Sequence, residues 1–185
     1  MAHPASIEHP PWHLAATILA SASLASCSGG VAVYPLAVGA RGTLPTWNGP
    51  CDTAHPRGDA VTLADRSYVA VRGGDVELSC RDGAIRLEAR EVAALTIEGP
   101  ASVGPEWTTY RLVAHAEGGR ELALGDAEVA WTLSPALERD SACHGHLVAA
   151  CDPPSVVRVR VRGAGETKLE AELGRERVAR VLDPP

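Results

Sequence analysis

From Val31 onward the chain is written in short runs of alternating or β-branched residues, and no long stretch holds apolar residues at helical spacing. Gly, Pro and Asp separate the runs. Such a pattern can bury every second side chain of a strand but not the stripe of a helix. The candidate strands in the first half are Val31–Val38, Ala60–Leu63, Tyr68–Val71, Val76–Ser79, Ala84–Ala89 and Ala93–Ile97. The second half offers Thr108–Ala116, Glu121–Leu124, Glu128–Leu133, His146–Ala149, Val156–Val161, Thr167–Leu173 and Arg177–Leu182. Short strands punctuated by turn residues predict an all-β chain of sandwich type rather than βαβ units.

An internal echo sharpens the expectation. Gly83-Ala84-Ile85-Arg86-Leu87-Glu88-Ala89 matches Gly165-Glu166-Thr167-Lys168-Leu169-Glu170-Ala171, and each copy is followed by a polar gap and a last apolar run. Alternation puts Ile85, Leu87 and Ala89, and likewise Thr167, Leu169 and Ala171, on one strand face. Asp82-Gly83 favours a tight turn ahead of the first copy. The succession Ala64–Val71 then Asp82–Ala89 resembles bacterial immunoglobulin-like domains of the Big family. In the second half, Tyr110–Ala116, the Gly118-Gly119 turn and Glu128–Ser134, with Trp131 at its centre, resemble an earlier portion of the same domains. The first half departs from the family in having a Pro-rich segment with Cys51 where a Trp-containing strand belongs. The Cys143–Cys151 segment stands where the family has a short turn. The resemblance implies two tandem immunoglobulin-like β-sandwich domains, residues 27–100 and 101–185, meeting near Gly99–Pro105.

The first 26 residues obey a different rule. An apolar run from Leu14 to Ser26 is too short to cross a hydrocarbon core of about 30 Å, which takes about 20 residues, and Pro10-Pro11 closes it off upstream. An apolar run ending in small residues predicts an export signal, although only His3, His9 and His13, with Glu8, precede it and no Lys or Arg does. Leu24-Ala25-Ser26-Cys27 resembles the lipobox of bacterial lipoproteins. That resemblance implies cleavage after residue 26, a lipid on Cys27, and attachment to the cell envelope. Ser28 in the following position implies the outer membrane.

With Cys27 assigned to lipid, four cysteines remain, Cys51, Cys80, Cys143 and Cys151, an even set that in an exported chain reads as two disulfides. Three connectivities are open, and proximity in sequence favours Cys51–Cys80 with Cys143–Cys151. After residue 26 the chain keeps all 17 basic residues and 22 of its 23 acidic ones, a net charge of −5, which excludes nothing but argues against nucleic acid as a partner.

One cluster has ligand chemistry: Cys143-His144-Gly145-His146, with Cys151 nearby, could hold a metal ion, but an oxidising compartment draws the thiols into a disulfide instead. Glu138, Asp140 and Ser141 lie near His144 without any nucleophile-elbow motif, and Gly163-Ala164-Gly165 lacks the strand–helix context of a phosphate loop. Arg158, Arg160 and Arg162 alternate with Val157, Val159 and Val161, a basic stripe that reads either as an anion-docking face or as a solvated strand edge. The acid pairs Glu88/Glu91 and Glu170/Glu172 read as solvated faces. Trp131 belongs in a core; Trp47 and Trp107 belong in loops. The expectation is a lipid-anchored, non-enzymatic envelope module without cofactor, binding an envelope protein or glycan. The rival is a small metal or ligand carrier built on His144 and His146.

Overall fold

In a computed structural model, which describes residues 30–45, 49–140 and 152–183, the first strand joins three neighbours. This is β1 (Val31–Thr43), which continues past its expected end at Val38 because Gly39, at φ 92°, absorbs a bend. It is followed by β2 (Val61–Ala64), β3 (Ser67–Ala70), β4 (Gly74–Cys80), β5 (Gly83–Arg90) and β6 (Ala94–Glu98). The second half contains β7 (Thr108–His115), β8 (Glu121–Gly125), β9 (Ala130–Leu133), β10 (Leu137–Arg139), β11 (Val156–Val161), β12 (Lys168–Leu173) and β13 (Glu176–Val181). No helix occurs among the described residues, so the all-β expectation holds. The strand β10, only three residues long behind Pro135, was too short to leave an alternation in the sequence. The expected strand His146–Ala149 lies outside the described residues.

The half of β1 before Gly39 runs parallel to β5, from Val31 opposite Ala84 to Ala37 opposite Arg90. Beyond Gly39, Arg41–Thr43 pair antiparallel with β3, and Leu36 and Arg41 pair with Ala123 and Gly125 of β8. Ten strands thus share one branched, open sheet, while β13, β12 and β9 form a second in that order. Pro35, which has no N–H to donate, is accommodated where β1 has β5 for a neighbour and β8 has not yet joined.

The echo seen in sequence is real in orientation but not in pairing. Ile85, Leu87 and Ala89 are at most 1% exposed, and Thr167, Leu169 and Ala171 are buried in the same alternation. Yet β5 forms its hairpin with the preceding strand β4, whereas β12 forms its hairpin with the following strand β13. The strand after β5, β6, crosses instead to β7 and pairs with it from Ala94–His115 to Glu98–Arg111. The position expected to divide two units, 100/101, therefore falls in the turn between two paired strands.

That turn is tied down. Val103 N–H donates to the Asp183 carbonyl (3.1 Å), Asp183 N–H donates to Ala101 (2.9 Å), and the fully buried Tyr110 donates its hydroxyl to Ser102 (3.2 Å). Arg180 of β13 donates to the carbonyls of Ile97, Gly99 and Pro100 at 2.9–3.0 Å. The chain has no Phe, so Leu, Val, Ile and Ala fill a continuous core that draws on both halves, Leu36, Val76, Leu78 and Leu87 on one side and Leu112, Val159, Leu169 and Leu182 on the other. Each such fully buried branched side chain is worth about 1.5–3 kcal/mol of transfer free energy, so this shared core is the main term holding the strands together.

Candidate functional site

The basic stripe is built by β11, whose strict alternation turns Val157 and Val159 into the core and Arg158 and Arg160 outward. Beside it lies β10, and its acids meet those arginines. Glu138 is directly opposite Arg160, with Oε2 accepting from Nε at 3.0 Å and from Nη2 at 2.9 Å. Arg158 Nη1 is 3.2 Å from Asp140 Oδ2. The Arg160 guanidinium also lies 4.5 Å from the centroid of the Trp107 ring, covering one face of that half-buried loop indole. Two of the three arginines are thus neutralised within the protein, and because β11 has β10 on one side and β7 on the other, the stripe is an ion-paired face of an interior strand, neither a bare anion-docking face nor a strand edge. The same pairing engages Glu138 and Asp140, the carboxylates that sequence placed near His144. Arg162 is exposed and follows the end of β11.

Cys143, His144, His146 and Cys151 fall in sequence between β10 and β11; these residues, with Ser141, lie outside the described residues. Their two anchor points are within them. Asp140 N–H donates to the Arg158 carbonyl (2.8 Å), and Val156 N–H donates to the Pro153 carbonyl (2.8 Å). Trp131, partly buried against the core as expected, donates its indole N–H to the Pro154 carbonyl at 2.9 Å. Trp47 and Cys27 are likewise outside the described residues.

Cys51 and Cys80 form a disulfide, with an S–S distance of 2.03 Å. The two residues are directly opposite across an antiparallel bridge, and the hydrogen bonds flank them instead of joining them: Asp52 N–H to Ser79 carbonyl (2.8 Å) and Arg81 N–H to Pro50 carbonyl (3.1 Å). Opposed residues that do not exchange hydrogen bonds come closest together in a sheet, and here the Cα atoms are 3.8 Å apart. Closing a loop of this length contributes about 3–4 kcal/mol by the chain-entropy estimate. Just beyond, Asp52 accepts from Ala54 N–H (3.0 Å) and His55 N–H (3.2 Å), and its other oxygen is 3.1 Å from His55 Nδ1. The His55 side chain, first, holds the Asp52 carboxyl below its ordinary value of 3.8. This is a local turn. His115 is engaged elsewhere, 3.2 Å from Thr96 Oγ1 through Nε2.

Glu88 and Glu170 of the acid pairs have partners as well. Glu88 meets Arg120 at 2.6 Å and Arg90 at 3.6 Å, and Glu170 meets Lys168 at 2.6 Å and Arg177 at 3.6 Å. Glu88 stands directly opposite Asp75, a like-charge pair that Arg90, 2.6 Å from Asp75, and Arg120 together neutralise. An open cleft of about 550 Å³ runs past Gly39, Val92 and the turn between β12 and β13, with Glu91, Glu128, Glu172 and Glu176 along it. Among the described residues no group of three or more His, Cys, Asp or Glu side chains is arranged to hold a metal ion.

No protein-family model and no curated relative matches the chain. Among solved structures it is similar to domains 5–6 of the S-layer protein SbsC, at 13% identity and a TM-score of 0.35, covering 84% of this chain and 93% of that one. It is also similar to domains 4 and 5 of SbsC, at 10% identity and a TM-score of 0.35, covering 68% of this chain and 70% of that one. A third similarity is to the D00-D0 domain of intimin, at 10% identity and a TM-score of 0.31, covering 81% and 95% of the two chains. At these scores the likeness carries no inference about function.

Proposed function

We propose that this chain is a non-enzymatic module of the bacterial envelope, held to a membrane, the outer one given Ser28, by a lipid on Cys27 and presenting its loops to an envelope protein or glycan. The observation that carries the reading is the Cys51–Cys80 disulfide. Such a bond persists in an oxidising compartment, and the Leu24–Cys27 motif is an address for one. The ion-paired surface of β4, β5, β10 and β11 supports a role in display rather than chemistry, because those charges are satisfied within the protein. Intact mass of the protein made in a bacterial host, with and without reductant and alkylating reagent, tests the reading. The expected result is a chain beginning at Cys27 with acyl chains attached and with Cys51 and Cys80 alkylated only after reduction. An unprocessed chain whose thiols are all free would sink it.

A further inference from the structure

The geometry points to a specific end of the fold as the surface that rests on the lipid, an inference that depends on the anchor at Cys27 just proposed. Three residues, Ser28, Gly29 and Gly30, separate Cys27 from β1. Even fully extended, the four steps from Cys27 to Val31 span no more than about 14 Å. Gly30 in turn lies beside Gly83, whose added Cβ would come within 3.1 Å of the Gly30 carbonyl oxygen, and Val31 is opposite Ala84. The leash therefore starts at the β4–β5 turn, Arg81-Asp82, next to the Cys51–Cys80 disulfide.

From that end β1 and β5 run side by side to Ala37 and Arg90, a distance of about 20 Å at the rise of a strand. A 14 Å leash cannot turn the molecule over to stand on the Ala37/Arg90 end. Lying on the broad outer face of β4 and β5 is also disfavoured. That face holds the pairs Arg86–Glu77 (3.2 Å), Arg90–Asp75 and Arg120–Glu88, which would lose hydration at the bilayer without gaining partners. The leashed end is different in character. Val31, the first residue of β1, is 40% exposed at that end, and Arg81 in the adjoining turn is exposed; Val33, 42% exposed, lies further along on the outer face, opposite Arg86. Apolar side chains can enter the headgroup region and a guanidinium can meet lipid phosphate oxygens there. The occupant of this surface is thus the lipid bilayer itself, with the disulfide near the membrane and the Glu91 end away from it.

The chain has a single lysine, Lys168, so an introduced lysine can be read by mass against an internal reference. Asp82→Lys and Glu91→Lys variants, lipidated and reconstituted in phosphatidylcholine vesicles, would be acetylated with a membrane-impermeant reagent. Each rate would be taken relative to Lys168, and the same ratio measured for the unanchored Cys27→Ser protein. Anchoring should slow the Asp82→Lys site severalfold and leave the Glu91→Lys site unchanged. Equal rates at both sites, or protection of the Glu91→Lys site alone, would overturn the inference. Protection at Asp82→Lys that vanishes on dilution of protein in the vesicle would also overturn it, in favour of a second copy of the chain. Intact mass of the same preparations separates the two ideas: without acyl chains on Cys27 both fail, whereas acylated protein with an unprotected Asp82→Lys site fails only this one.

Discussion

Gly125→Ala tests the junction where the first strand meets the second half of the chain. Gly125 ends β8 at φ 54° and pairs with Arg41 of β1. A Cβ there would overlap the Arg41 carbonyl oxygen and come within 3.4 Å of the Tyr68 hydroxyl oxygen. The same carbonyl accepts a hydrogen bond from Asp126 N–H at 2.8 Å. The left-handed backbone costs an L-residue about 1–2 kcal/mol, and displacing Arg41 loses a hydrogen bond of about 1 kcal/mol. Alanine recovers about 0.4–1 kcal/mol by narrowing the unfolded ensemble, so the net loss is about 2 kcal/mol. Gly174→Ala is the matched control. Gly174 has a similar φ of 62°, but nothing lies within 4 Å of where its Cβ would be. It should cost only the backbone term, about 1 kcal/mol. Urea unfolding of the oxidised proteins, followed by tryptophan fluorescence, gives both values. In thermal melts of the same proteins the midpoint should fall by about 2–4 °C per kcal/mol for a chain of this size, which separates the variants. Equal losses in the two would refute the argument, because the overlap with Arg41, and with it the β1–β8 pairing, would then contribute nothing.

Arg180→Lys keeps the charge but cannot span the Ile97, Gly99 and Pro100 carbonyls from a planar fork, so stability should drop by about 1–2 kcal/mol; an unchanged urea midpoint would show that the clamp is not used. Asp65 is the one non-glycine residue with positive φ (53°) among those described, so Asp65→Gly should raise the melting temperature through a gain of up to about 1 kcal/mol, and a loss would contradict the strain. The Lys168–Glu170 pair should give a pH plateau. Hydrogen bonding to Lys168 holds the Glu170 carboxyl below its ordinary 4.5, and Glu170 raises Lys168 above its ordinary 10.5. A depressed carboxylate stabilises above its unfolded value and loses that as pH falls through the folded one; a raised ammonium stabilises below its unfolded value and loses that as pH rises. The difference in unfolding midpoint between the native protein and Glu170→Gln should therefore be constant between those two values and shrink outside them. A difference that changes near pH 7 would disprove it.

Periodicity alone made most of the fold legible. Among the described residues, twelve of the thirteen strands left an alternation or a β-branched run that could be read from sequence, β10 being the exception. Trp131 could be assigned to the core from its neighbours Val129 and Leu133, all three of which pack against it. Of the three connectivities open in sequence, proximity favoured the one containing Cys51–Cys80, and that bond is present. Nothing local told β6 to leave β5 for β7, because an alternating strand carries the same pattern whichever neighbour it chooses. The arginine stripe was equally ambiguous: Arg158 and Arg160 read as free cations until β10 brought Glu138 and Asp140 across from them.

The sequence by itself determined that the chain is all-β and which residues of nearly every strand face inward, since both depend on residues only one or two positions apart. Tertiary structure decided which strands pair, which of the charges are neutralised, and that β1 bridges both halves of the chain. Those outcomes depend on backbone hydrogen bonds and ion pairs between residues tens of positions apart, Arg120 with Glu88 or Arg180 with Ile97, and no local pattern of side chains encodes them.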